Sequence, residues 1–581
     1  MYPTLQSSQE SRQVLDSFGG YNHNIKIGDG EFYDDLNLTA DVSPVLSVRK
    51  GRGVYLNDGN VTGMISKDAL CYTDGQYFCM NQYRVDMGLN DEPKQLISMG
   101  AYVIILPDKK YINTANMTEY GNIEASFTSS GPVIFSLCKQ DGTLLTPDYI
   151  QATEPEEPPT GAIWMDTSTT PHGLKMWSQG TGLWTNVLTT FVKIQCAGIG
   201  KAFSEYDGVK LSIPKELDAN TASQIEALDG AAIIYARDDD SITVVGILDE
   251  QTTIDAEISV SRTMPEMDFI TESGNRLWGC RYGLSADGEA VNELYACKLG
   301  DFKNWNCFMG ISTDSYAVSL GSDGRFTGAV THAGYPIFFK ENCMHKVYGN
   351  YPSNFQVQTT TCRGVQRGCS KSIAIVNEIL YYKGQHGICA YDGSLPTEVS
   401  DALGDVTYRN AVAGGIGNKY YVCMEDASNE KCIFCFDTAK GIWHKESGVE
   451  AAQMCASQNE LYCCTSDGKI VTMLGSDGVG ERVAWMAQTG IINASLPERI
   501  YLKRLNIRMM LEQGGSCAIK AQYDSYGEWE TLGRITGENL RSFTLPVMPR
   551  RCDHLRLRLE GTGNAMFFSI AKTFTEGSDK P

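Results

Sequence analysis

The sequence has no apolar run near the roughly 20 residues that a helix needs to span a bilayer, so no membrane-spanning segment is expected. Its first residues, Met1-Tyr-Pro-Thr-Leu-Gln-Ser-Ser-Gln-Glu, lack the basic start and apolar core of a secretory signal, which predicts an unexported protein. Amphipathic helical patterning is almost missing. Only Lys215 to Leu228 spaces Leu217, Ala222, Ile225 and Leu228 loosely along one face. Histidine is scarce too. The seven, His23, His172, His332, His345, His386, His444 and His554, show no metalloprotease or zinc spacing. No Gly-x-Ser-x-Gly elbow and no Walker loop is present. These absences predict no catalytic residue, no cofactor, no metal and no enzymatic activity.

Positive charge is also in deficit, with 49 Lys and Arg against 70 Asp and Glu and a net charge of −21. Residues 481–581 sum to +3, which leaves −24 over residues 1–480. A surface that grips nucleic acid must neutralise phosphates with Lys and Arg, and such acidity argues against one. An acidic wall that a polyanion slides past is compatible with it. The 19 cysteines are spread through the chain, many inside apolar strands, and their odd number cannot all pair. They read as free thiols of a protein made in a cytoplasm, behaving as small buried hydrophobes. The one Cys-x-x-Cys, Cys432 and Cys435, lies in Cys-Ile-Phe-Cys-Phe, where the odd spacing sends the two thiols to opposite faces of a strand.

What the chain does have is a repeat. Asn377-Glu-Ile-Leu-Tyr-Tyr, Asn418-Lys-Tyr-Tyr-Val-Cys and Asn459-Glu-Leu-Tyr-Cys-Cys begin 41 residues apart. An apolar run precedes and another follows each one, so the unit is a β-meander. Sheets repeated at such a period stack on their neighbours, as in a β-propeller; a β-sandwich of ordinary hairpins is the alternative. Like units begin at Asn60, Gln95, Asp268 and Phe326, with Pro336 lying 41 residues before Asn377. The count is seven blades, with six or eight open, because strand exchange at a closing blade leaves no sequence mark. Gly414-Gly-Ile-Gly reads as a turn between strands, and Asp238-Asp-Asp as a hairpin tip.

The fold expected is mainly β: a propeller, an inserted β-rich platform domain and a C-terminal β-sandwich-like domain. Residues 1–52 read as an extended arm of the kind that contacts other subunits, and 53–114 as the first blades. Residues 115–262 form the insertion, 263–475 the remaining blades and 476–581 the C-terminal domain. In that last domain Leu555-Arg-Leu-Arg-Leu-Glu alternates strictly, placing Leu555, Leu557 and Leu559 inside and Arg556 and Arg558 in solvent. Within the insertion, Glu154-Pro-Glu-Glu-Pro-Pro is a stiff charged linker. It opens a Trp-rich module over 155–190 that carries Trp164, Trp177 and Trp184. Clustered tryptophans either stack on sugar rings, as a glycan or partner contact, or form the minimal core of a small β-module.

Phe18-Gly-Gly-Tyr-Asn, Asp29-Gly-Glu, Ser261-Arg-Thr-Met-Pro-Glu-Met-Asp-Phe, the run from Pro336-Ile-Phe-Phe through Gly387-Ile, and the closing Glu576-Gly-Ser resemble the tail-nozzle proteins of short-tailed bacteriophages. That family includes tail tubular protein B and head-completion or stabilisation proteins. The likeness spans most of the chain outside residues 155–190 and rests on turn-and-strand patterns. It implies a structural virion protein: six copies in a ring below the portal and its head–tail adaptor, alongside other tail proteins, with a channel that passes DNA without specific binding. The location it implies is the virion tail, after synthesis in the host cytoplasm. Two other readings stand beside it. One is a receptor- or glycan-binding tail module using the tryptophans. The other is a propeller glycosidase, which would need paired carboxylates in a pocket.

Overall fold

The structure is a computed structural model, and it describes residues 10–217, 221–285, 287–475, 481–493, 499–525, 527–537, 539–548 and 550–576. The Met1–Gln9 opening, Gly577-Ser578, residues 218–220 of the helical stretch and 476–480 of the C-terminal domain lie outside them.

Among the described residues the chain is nearly all β, with seven four-stranded meanders, the blades of a propeller. Blade 1 comprises Val61–Lys67, Ala69–Asp74, Tyr77–Met80 and Tyr83–Asp86, and blade 2 comprises Gln95–Met99, Tyr102–Leu106, Lys110–Asn113 and Tyr120–Asn122. Blade 3 runs from Phe269–Ser273 to Tyr316–Ser319, blade 4 from Gly328–His332 to Gln356–Thr361, and blade 5 from Ala374–Val376 to Thr397–Glu398. Blade 6 runs from Arg409–Ile416 to Ile442–Glu446. Blade 7 has only three strands in sequence, Ala451–Ser457, Glu460–Thr465 and Ile470–Thr472; its fourth, Gly53–Leu56, comes from near the start of the chain and pairs with Ile470–Thr472.

The 41-residue period has a local cause. In blade 5 the first turn places Asn377 and Glu378 at φ 48° and 66°, the left-handed pair that a two-residue hairpin turn of matching twist requires. Asn377 Nδ2 then donates to Asn418 Oδ1, its counterpart in blade 6, at 2.9 Å. Equivalent positions of successive repeats therefore touch. Gly414 and Gly415 correct the turn reading of Gly414-Gly-Ile-Gly. Both lie within the strand Arg409–Ile416, where a Cβ on Gly414 would meet Leu461 and Met454 at 2.8 Å and one on Gly415 would meet Val376 at 2.5 Å. They are small because neighbouring blades press against that strand; only Gly417, at φ 55°, serves the turn.

By contact density the chain forms two compact units, one of residues up to 96, 324–346 and from 358 on, the other of 97–323 and 347–357. In the first, Ile337, Leu380, Tyr420 and Phe434 belong to a core shared by blades 4, 5 and 6, while Met64, Leu70 and Ile470 join blades 1 and 7. In the second, Ile104 and Ile123 of blade 2 pack with Leu277 and Trp305 of blade 3. The strand Tyr120–Asn122 completes blade 2, so the insertion starts later than the expected residue 115.

The insertion contains a sheet of Ala125–Thr128, Ser259–Arg262, Gly208–Ser212 and Gly230–Ile233 and a five-stranded sheet around Phe191–Gln195 and Val133–Cys138. They share a core that includes Phe135, Ile194, Leu211 and Ile242. The helical reading shrinks to Ala222–Glu226, which buries Ile225 in that core. Asp238-Asp-Asp is the tip of the hairpin between Ala236–Asp238 and Ser241–Val245, as expected.

The C-terminal domain is two stacked sheets. Leu555, Leu557 and Leu559 are buried as alternation requires. Residues 10–48, expected as an arm, are strands of these same sheets: Glu10–Leu15 and Leu46–Val48 pair with Ala565–Glu576, and Glu31–Leu36 pairs with Ala484–Thr489. Each of these strands is too short to bury a face alone, and adding it to the sandwich edge hides Leu15, Phe32, Leu38 and Leu46.

Candidate interaction site

The Trp-rich module is a four-stranded sheet of Tyr149–Gln151, Ile163–Asp166, Gly173–Ser178 and Leu183–Asn186. One face sends Met165 and Leu174 onto Leu137 of the insertion. Strand register puts Trp164 opposite Lys175 and Trp177 opposite Trp184, so all three tryptophans share the other face. Trp184 sits edge-on to both others, with ring centroids 5.4 Å from each. Trp164 is buried and its Nε1–H donates to Gln151 O at 2.9 Å, whereas Trp177 and Trp184 are half-buried. The Lys175 ammonium lies 4.5 Å from the Trp164 ring centre and 2.8 Å from Asp166 Oδ2. Its hydrogen bond, with that of Ser168, holds the Asp166 carboxyl down to about 2. The arrangement is a small aromatic core that leaves two indole rings partly exposed beside a cation.

A second polar concentration lies where the N-terminal strands meet blade 6, all within the first unit. Asp35 is fully buried; its Oδ2 accepts from His444 Nδ1 at 2.5 Å and its Oδ1 from the Lys445 N–H at 2.8 Å. Arg52 Nη2 reaches Glu446 Oε2 at 2.6 Å, with Arg49 Nε 3.8 Å from the same carboxylate and Arg49 Nη2 3.3 Å from Glu481. Asn37 Oδ1 accepts from Arg49 Nε and the Ser447 N–H, while its Nδ2 donates to Ala484 O at 2.7 Å. Such charge-assisted bonds among buried partners hold a geometry more firmly than neutral ones. None of these residues was singled out by sequence reading. Their partners lie some 400 residues away, and the local sequence, Glu31-Phe-Tyr-Asp-Asp-Leu-Asn-Leu, carries no sign of them.

The glycosidase reading directs attention to carboxylates in a cavity. One of about 230 Å³ beside blade 5 is lined by Lys383, Glu398, Asp401, Asp405 and Tyr408, among others. Glu398 is bound there to Arg363 Nη1 at 2.7 Å, and the buried Lys383 ammonium donates to Gln366 Oε1 at 3.0 Å. Ser466-Asp-Gly turns between the second and third strands of blade 7, and Ser322-Asp-Gly lies between the last strand of blade 3 and the first of blade 4. All 19 cysteines are free; Ile433 and Cys435 pack in the core of blades 6 and 7, while Cys432 packs on the opposite core with Phe434. Among the described residues no cluster of three or more His, Cys, Asp or Glu fits a metal ion, and no helix is long and apolar enough to cross a membrane.

No protein-family profile and no curated protein matches the chain. Among solved structures it is similar to an exo-β-1,3-galactanase from Phanerochaete chrysosporium with galactose, at 8% identity and a TM-score of 0.23, over 52% of this chain and 95% of that one. It is also similar to an engineered GH43 glycoside hydrolase with endo-xylanase and exo-arabinofuranosidase activity, at 8% identity and TM-score 0.18, over 53% and 97%. A Bacillus thuringiensis Cry1Da tryptic core variant follows at 11% and 0.14, over 42% and 50%. TM-scores this low carry no functional argument; the propeller is read from the sheets themselves.

Proposed function

We propose that the protein is a structural component of a virion, the nozzle of a short-tailed bacteriophage tail. In this reading six copies form a ring below the portal and adaptor, and DNA leaves through it without being gripped. The observation that supports it is the interlock of the chain ends. Strands from residues 10–48 complete both sheets of the C-terminal sandwich, Gly53–Leu56 completes blade 7, and the Asp35–His444 and Arg52–Glu446 pairs clamp the intervening segment to blade 6. A conduit wall must resist force applied by moving DNA. The net charge of −21 suits a surface that repels a polyanion.

The test is assembly. The purified chain, mixed with the portal and adaptor of the same particle, is expected to give a ring of six copies by mass measurement and particle imaging. A chain that stays monomeric with both partners present overturns the proposal.

A further inference from the structure

The C-terminal sandwich has an open mouth. Between the strand pair Glu10–Leu15 with Ala565–Glu576 and the pair Glu31–Leu36 with Ala484–Thr489 lies a cavity of about 340 Å³. Its apolar wall includes Leu15, Ile27, Phe32, Ile492, Ile500 and Phe574. Strand register explains why a cation lies among them. Leu15 is opposite Ile570 and Gln13 is opposite Lys572, so the alternation that puts Leu15 and Ile570 in the core also turns Lys572 inward.

Lys572 is only 4% exposed, yet its ammonium, which has three donors, is bonded among the described residues to a single acceptor, Asp29 Oδ1 at 2.8 Å. Asp29 stands on the rim with its side chain 57% exposed. A buried ammonium is costly unless its N–H groups are bonded, and an apolar cavity of this size with a placed polar group is the usual composition of a small-molecule site.

We propose that this mouth binds a medium-length aliphatic carboxylate. The head group sits on Lys572 Nζ, and the chain lies along Phe32 and Phe574. Asp29 is the internal carboxylate that occupies the same ammonium, so it competes with the head group. The lining residues all come from one chain.

Calorimetric titration of the full chain with sodium octanoate, 1-octanol and octylamine tests it. Octanoate is expected to bind at least tenfold more tightly than octanol, and octylamine not at all. Lys572→Gln should weaken octanoate at least tenfold and leave octanol unchanged, and Asp29→Asn should tighten octanoate severalfold. Absence of octanoate binding, equal binding of all three probes, or unchanged octanoate affinity in Lys572→Gln overturns the proposal. Thermal unfolding checks that each variant is folded. Should Lys572→Gln not fold, the exposed Asp29→Asn decides alone, and unchanged affinity there is equally fatal.

Discussion

His345 is fully buried in blade 4, its Nδ1 2.9 Å from Thr359 Oγ1 and its Nε2 3.7 Å from Cys343 Sγ. Burial, helped by the nearby Lys340 ammonium, pushes its pKa from 6.5 down to about 4. The folded pKa is therefore below the unfolded one, and between them the unfolded chain binds the extra proton. Stability from this group is complete above pH 6.5 and is lost as pH falls toward 4, at no more than about 1.4 kcal/mol per pH unit. Denaturant unfolding at pH 7 and pH 4.5 should show a smaller loss in His345→Gln than in the parent, by up to about 2.7 kcal/mol; equal losses would refute it. Single residues were readable where alternation decides. Leu555, Leu557 and Leu559 went inside, and the opposite faces of Cys432 and Cys435 followed from spacing alone. Arg556 and Arg558 differ from the solvated expectation, because each guanidinium found an aromatic ring: Arg556 lies 5.0 Å from the Tyr33 ring centre and Arg558 4.1 Å from that of Trp529. Alternation fixes the side of a sheet, not what covers that side.

At the scale of elements, the junction Ser261-Arg-Thr-Met stood out in the sequence, and its arginine holds the insertion's last strand in place. Arg262 is buried, ion-paired to the buried Asp207, and donates to Ile123 O through Nε and Nη2. Asp207 also accepts from Asn304 Nδ2 at 2.9 Å. Removing one partner leaves a buried charge uncompensated, so Arg262→Met should cost about 3–5 kcal/mol. The double variant Arg262→Met, Asp207→Leu should recover a large part of that. Urea unfolding of the three proteins checks it, and a single variant within 1 kcal/mol of the parent would contradict it. Repeat units and turns were visible because their signals are local: a turn residue, then an apolar run, every 41 residues. The fourth strands Tyr120–Asn122 and Thr397–Glu398 were missed because they are short, half-exposed or exposed, and carry little apolar pattern.

For the whole molecule, residues 1–52 are the part whose role changed most. They read as an arm because their strands have two to six residues, too few to bury a face by themselves. In the fold they contribute Leu15, Phe32, Leu38 and Leu46 to the sandwich core, each worth about 1.5–3 kcal/mol of burial. A chain beginning at residue 57 should therefore lose the cooperative unfolding of the sandwich and become open to proteolysis between residues 481 and 576. Calorimetry and limited proteolysis measure this, and a truncated chain that melts like the parent would show the strands to be dispensable.

Periodicity, alternation and charge belong to the sequence, and they determined that the chain is mainly β, built of meander repeats around an insertion, acidic over residues 1–480, and closed by a sandwich whose leucines face inward. Each of these rests on interactions within a few residues, where spacing alone dictates which side of a strand a side chain takes. The tertiary structure decided what depends on distant partners: the strand exchange that completes blade 7, the pairing of residues 10–48 with 484–576, the Asp35–His444 contact and the cation in the sandwich mouth. The physical reason is that a strand edge or a buried charge carries no sign in the sequence of the partner, hundreds of residues away, that will satisfy it.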